Sequence, residues 1–219
     1  NRYYILPVKS VLAQTNITSI ASGGHLSLAI DNAGNLYQWG HLFNSGDSNT
    51  NFITSPTLVT LPGSGYIVEI SAARRNVMIL RSDGNIYGWG DLTYSLIDST
   101  SAAAMQNSYV QINKFSGVLN AGETISKIRQ GLNSGLVLTS AGRVLTWGVN
   151  LSGQLGRGLA ASSTKYPIPV AITLPGAATY IFASPYNNFN YVGFQGCAST
   201  LSYTTTYPNT NPSCCNTFF

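Results

Sequence analysis

The chain has 219 residues, 44% of them hydrophobic, which is enough for one sizeable core or one array of repeats. Charged residues make up only 8% and the formal net charge is +4, with Arg74-Arg75 the one adjacent basic pair; no clustered basic face of the kind that binds nucleic acid is present. No run of about 18 apolar residues occurs, so no membrane-spanning helix is expected. From the N-terminus, NRYYIL is a short β-prone run that opens on Asn1 rather than Met, as a processed or partial product would. Pro7 to Val11 reads as a short strand, like Pro56 to Leu61 and Pro167 to Leu174 further on. In each a proline opens the strand, where no ladder donor is needed.

Three segments then recur: GNLYQWG ending at Gly40, GNIYGWG ending at Gly90 and GRVLTWG ending at Gly148. They hold all three tryptophans, Trp39, Trp89 and Trp147. An Ile-x-x-Ile stretch begins 22 residues before each, at Ile17, Ile67 and Ile125, while the tryptophans lie 50 and 58 residues apart. A constant core with variable connections marks a repeated supersecondary unit. In the first unit ITSIAS, HLSLAI and NLYQWG read as strands around an Asp31 to Gly34 turn. Residues 41–55 read as a polar loop. In the second, Asp83-Gly84 is a hairpin signal. The long connection after Gly90 contains AAAM, enough for one helical turn. In the third, LVLT and VLTW alternate with period two, as strands do.

A fourth unit starts with Tyr180-Ile181-Phe182-Ala183 and a second strand in Phe189 to Phe194. No third strand or Trp-Gly is expected after it. The chain runs instead into an irregular tail rich in Thr, Tyr, Pro and Asn. The tail holds the three cysteines, Cys197, Cys214 and Cys215. Without a CxxC pair or a nearby histidine they read as one disulfide, Cys197 with Cys214 or Cys215, and one thiol over. That fits an oxidising compartment or an intermolecular link.

Short strands at this density, with no long helix, predict an all-β chain of β-propeller blades. The expected units are 7–55, 56–110, 111–166 and a partial 167–196 within residues 1–196, followed by the tail at 197–219. The Trp-Gly pairs are the internal ruler of each blade, with the indoles between neighbouring sheets.

Candidate chemistry is sparse. His25 and His41 are the only histidines. His25 sits at a strand start as a structural hydrogen bonder, and His41 with Asp47 nearby makes a weak acid–base pair, with no paired carboxylates or Ser-His-Asp pattern beside it. Asp31 and Asp83 precede turn glycines, where Asp stabilises the turn locally, and Asp91 and Asp98 show no calcium-loop spacing. Gly153-Gln154-Leu155-Gly156 lacks the Lys-Ser/Thr of a phosphate loop and reads as a tight turn. No catalytic residue, metal or cofactor is expected. Aromatics crowd the last forty residues, with Phe218 and Phe219 at the end. Tyr186, Phe189, Tyr191, Phe194, Tyr203 and Tyr207 read as a protein interface, because Tyr and Phe are enriched in such surfaces.

The units resemble the repeat of the regulator of chromosome condensation family. The resemblance rests on Pro-x-x-Val, Ile-x-x-Ile-Ala-x-Gly and Gly-x-Leu-Tyr-x-Trp-Gly. It rests above all on TWGVNLSGQLGRG, Thr146 to Gly158. It covers residues 7 to 185 and implies a β-propeller, usually of seven blades. The first two units depart from it, with LFNSGDSN and LTYSLIDS in place of the Gly-Gln-Leu-Gly loop. Three and a half units imply a partial propeller of three to four blades, or one completed by another chain. The expected function is a non-enzymatic structural or protein-interaction module. It would self-associate to complete the ring, as a subunit of an extracellular or particle-surface assembly. A secreted inhibitor propeller and a nucleotide exchange factor for a small GTPase are the alternatives that the family implies.

Overall fold

The structure, a computed structural model, describes residues 16–41, 52–94, 96–97, 105–194 and 216–218. They form four antiparallel sheets, each built in chain order. The first holds β1 (Ile17–Ser22), β2 (Leu26–Asp31), β3 (Leu36–His41) and β4 (Phe52–Val59). The second holds β5 (Ile67–Ala72), β6 (Asn76–Arg81), β7 (Ile86–Asp91) and β8 (Met105–Gln111). The third holds β9 (Ile125–Gln130), β10 (Ser134–Thr139), β11 (Val144–Asn150) and β12 (Ser162–Ala171). The fourth holds β13 (Ala178–Ala183), β14 (Asn190–Phe194) and β15 (Asn216–Phe218). Among the described residues no helix is long and apolar enough to cross a membrane.

The first strands of consecutive sheets, β1, β5, β9 and β13, stand side by side, so the sheets stack face to face as blades of a propeller arc. Three apolar clusters fill the junctions. Leu28, Ile30 and Leu36 of blade one meet Ile70, Val77, Ile79 and Trp89 of blade two. Met78, Leu80 and Ile86 of blade two meet Ile128, Val137 and Trp147 of blade three. Leu136, Leu138 and Val144 of blade three meet Ile181 and Val192 of blade four. Alternate residues of β6 therefore serve opposite junctions, and all six of its side chains are buried. This is why its middle reads VMIL, a continuous apolar run, rather than apolar-polar alternation.

Several expectations differ from the structure. The strand expected to open at Pro56 begins earlier, at Phe52, so the polar loop expected over 41–55 is too long. The strand expected from Pro167 likewise begins at Ser162. Both prolines lie inside outermost strands at register shifts, between the partners of Gln38 and Gly40 and between those of Thr146 and Gly148. An edge strand with a bulge needs no N–H donor there. Met105 of the AAAM stretch begins β8 rather than a helical turn. Blade four does gain a third strand: β15 pairs with β14 through Tyr191 and Phe218, drawn from the tail expected to be irregular. The strands that hold Pro56 and Pro167 close the first and third sheets rather than opening the next ones.

Candidate interaction faces of the propeller arc

The Trp-Gly pairs come first because they set the blade geometry. Gly40, Gly90 and Gly148 have φ of +105, +122 and +116°. A Cβ at these positions would lie 2.0–2.3 Å from the carbonyl oxygens of His25, Arg75 and Asn133 respectively. Those same carbonyls accept the N–H of the following residue, His41, Asp91 or Val149. Only glycine permits this close approach at positive φ. The preceding tryptophans point at the blade before. Trp147 is 0% exposed, lies edge-on to Phe115 at 5.3 Å and donates its indole N–H to Leu96 O at 2.9 Å. Its ring covers Gly135, where a Cβ would come within 2.2 Å of it. Trp89 is buried against blade one, whereas Trp39 is only half-buried. No sheet precedes blade one among the described residues.

The Gly-Gln-Leu-Gly loop is a buttress rather than a ligand cradle. Asn150 Oδ1 accepts Leu155 N–H at 3.1 Å, and its Nδ2 donates to Leu159 O and Ala160 O at 3.1 Å. That buried amide leaves no room for a glycan at the Asn150-Leu151-Ser152 triplet. Asn190 of blade four donates to Gln154 O at 2.6 Å, tying the loop across the third junction.

Polar ties also cross the second junction. Glu69 Oε2 accepts Ile128 N–H at 2.6 Å and Oε1 pairs with Arg129 at 2.5 Å, while Ser71 Oγ accepts Gln130 N–H at 2.8 Å. The Ile128 and Gln130 N–H donors of β9 are thereby satisfied from blade two. At the first junction Tyr109 donates to Gln38 Oε1 at 2.8 Å, and burial raises the phenol's pKa.

The end faces of the arc break this pattern. Ile20 occupies the position of Ile70 and Ile128, yet it is 76% exposed against 6% and 0%. On blade four, Tyr180 and Phe182 take the positions of Glu69 and Ser71 and are 44% and 38% exposed, with the Arg129 guanidinium of blade three 6.0 Å from the Tyr180 ring. Tyr180 stands 6.4 Å from Tyr191, and Phe182 stands 6.2 Å from Phe189. Of the aromatics expected at an interface, Tyr186 and Phe189 are exposed, Tyr191 is half-buried on this face, and Phe194 packs on the third junction. Tyr203, Tyr207, Cys197, Cys214 and Cys215 lie outside the described residues. Tyr180 and Phe182 were not among the expected interface residues. The signal was the alternation in Thr-Tyr-Ile-Phe-Ala, where Ile181 and Ala183 face inward and the aromatics face out.

Tyr186 has a separate task. The connection from β13 to β14 has six residues, 184–189, where the other blades have three. Its extra length brings Ser184 O to Leu132 N–H, Pro185 O to Arg74 N–H and Tyr186 Oη to Gly23 O, at 3.1, 3.3 and 3.2 Å. One loop thus touches the corresponding turns of the other three blades.

Catalytic and metal chemistry find little support in the geometry. His41 is buried and stacks on Phe52 at 4.7 Å, with His25 edge-on at 6.1 Å. Asp47 and Asp98 lie outside the described residues. Asp31 accepts N–H groups of Ala33 and Asn35 at 3.0 and 2.8 Å and the Asn35 amide at 2.9 Å, and Asp83 accepts Asn85 N–H at 3.0 Å. Both carboxylates brace hairpin turns. Asp91 accepts Thr93 N–H at 2.7 Å and faces Arg75 at 3.8 Å. No group of three His, Cys, Asp or Glu side chains converges among the described residues. A cleft of about 400 Å³ beside the second junction is lined by Asn85, Gln111, Asn113, Phe115, Leu119 and their neighbours, none of them titratable.

Stacked four-stranded antiparallel blades with a Trp-Gly ruler define a β-propeller repeat protein. A family profile described as the regulator of chromosome condensation (RCC1) repeat matches residues 141–187, from the hairpin turn of blade three into blade four. A human RCC1-like G exchanging factor-like protein is 26% identical over 175 residues, covering 75% of this chain and 36% of that protein. The crystal structure of human WBSCR16 superposes with a TM-score of 0.68 at 22% identity, over 81% of this chain and 44% of that one. Yeast RCC1 (Prp20), solved bound to Kap60, superposes at 0.67 and 17% identity, over 84% and 41%. This chain therefore spans 36–44% of the length of these relatives. Residues 141–187 match the RCC1 repeat, and the four sheets have the fold of part of such a propeller.

Proposed function

We propose that the chain is a non-enzymatic protein-interaction module, a propeller arc that self-associates to complete its ring. The observation that carries this reading is the contrast at one repeated position. Ile70 and Ile128 are buried by the blade before them, and Ile20 is 76% exposed. Burying such a side chain stabilises an assembly by about 1.5–3 kcal/mol. An open propeller end also leaves sheet faces that a closed ring covers. The low charge of 8% supports a surface made to be covered, in a particle or extracellular assembly. Sedimentation of the full chain over a concentration series tests the reading. Mass rising with concentration toward a closed pair or a filament is expected, and a monomer up to the solubility limit would overturn it. A second reading, nucleotide exchange on a small GTPase, draws on the likeness to the human exchange-factor-like protein. Faster release of bound nucleotide from a GTPase on adding the chain would establish it.

A further inference from the structure

We infer that the two open ends of the arc are the two halves of one interface: blade four of one copy seats on blade one of a second copy. This rests on the self-association reading and names its surfaces.

The three internal junctions supply the rule. On the receiving blade, an inner-strand isoleucine is buried against the blade before it: Ile70, Ile128 and Ile181 in turn. In blade one that residue is Ile20. On the donating blade, the inner strand presents the residues two positions apart that face onward. In blade two these are Glu69 and Ser71, which hold Ile128 N–H and Gln130 N–H of blade three. In blade four they are Tyr180 and Phe182, since Phe182 stands opposite Tyr191 as Ser71 stands opposite Met78.

Continuing the same junction geometry brings Ile20 of a second copy against Tyr180 and Phe182. The chemistry agrees on both sides. The carboxylate and hydroxyl of the second junction are replaced by two exposed rings, and the residue that meets them is an exposed isoleucine. Phe189 and Tyr191 extend the apolar surface beside these rings. Trp39 is half-buried on the receiving face, where Trp89 and Trp147 are covered at internal junctions. Two four-blade arcs joined at both ends close a ring of eight blades, within the usual range of four to eight. If the rotation does not close, the same head-to-tail contact runs on as a filament.

Two variants and their mixture test this. Ile20→Glu blocks the blade-one face and Phe182→Glu blocks the blade-four face. Both side chains are exposed, so the circular dichroism of each variant should match the native chain, and its melting temperature should match that of the native chain diluted to monomer. In sedimentation each variant alone is expected to fall to monomer mass. An equimolar mixture is expected to recover a one-to-one pair and stop there. In it, the intact blade four of the Ile20→Glu copy meets the intact blade one of the Phe182→Glu copy. If the native chain associates and both variants associate equally well, the face assignment is wrong while self-association stands. If Phe182→Glu is monomeric but Ile20→Glu is not, the copies pair blade four to blade four, and the inference fails. A mixture that stays monomeric also overturns it. A native chain that is itself monomeric, its ends met by other protein, overturns both this inference and the reading beneath it.

Discussion

At the scale of single residues, the Trp-Gly glycines carry a constraint that no other side chain meets. Gly90 sits at φ +122° with the Arg75 carbonyl oxygen 2.0 Å from where a Cβ would stand. Gly84 sits at +81° with nothing within 4 Å. Gly90→Ala should therefore destabilise the chain by at least about 2 kcal/mol, from backbone strain and the shift of β6. Gly84→Asn should cost less than about 1 kcal/mol, since asparagine tolerates the left-handed region. Urea unfolding of the two variants measures the contrast. A neighbouring turn carries an acid signature. The Asn35 side chain, with further hydrogen bonds from the Asn35 and Ala33 N–H groups and Tyr37, holds the Asp31 carboxyl below its ordinary value of 3.8. A carboxylate more acidic in the fold than in the unfolded chain stabilises fully above the unfolded value. That stabilisation is lost as pH falls through the lowered native value. The melting temperature of the native chain should thus fall more steeply below pH 3.8 than that of Asp31→Asn. Parallel curves for the two would remove Asp31 from the account.

At the scale of elements, the junctions rest on polar ties as well as apolar packing. Glu69 is the clearest test, because one carboxylate serves both Ile128 N–H and Arg129. Glu69→Ala leaves that N–H and the guanidinium without their acceptor and should cost about 1–3 kcal/mol. Glu69→Gln keeps one acceptor oxygen and should cost less. Equal losses in denaturant titrations would mean that the contact is packing alone. The same elements explain what was readable in advance. The three inner strands of blades one, two and three keep a fixed 22-residue ruler from Ile to Trp, because each must meet the same neighbours, so pattern alone located them. The outermost strands β4, β8 and β12 have eight, seven and ten residues and only one neighbour strand each. Free of a second ladder, they accept Pro56, Pro167 and Pro169 inside them, which hid their starts. β15 escaped detection for another reason. It is three residues long and reaches β14 from 22 positions beyond Phe194, so no local period could announce it. Tyr180 and Phe182 were visible as letters but not as a face, since only the stacking order says which side of β13 lacks a neighbour.

At the scale of the molecule, the arc behaves as a short one-dimensional array, in which each blade is stabilised by itself and by the junctions on either side. Blades two and three have two junctions, and blades one and four have one each among the described residues. Local opening should follow that asymmetry. Amides of β6 and β10, whose residues are buried throughout, should exchange slowest, and those of β1 and β13 fastest. The loop of residues 184–189 works against fraying, since it links blade four to the turns of blades one, two and three. Replacing Tyr186 with Phe removes only the bond to Gly23 O and should speed exchange at blade one more than at blade three. Concentration gives the sharper test. Association stabilises the elements that it buries, and by mass action the effect grows with protein concentration. If the two ends meet, exchange at β1 and β13 should slow as the sample is concentrated, while β6 and β10 hold their rates. Protection that rises uniformly along the arc would point to association through the outer edges instead, because β4 and β12 would then gain what the end faces do not.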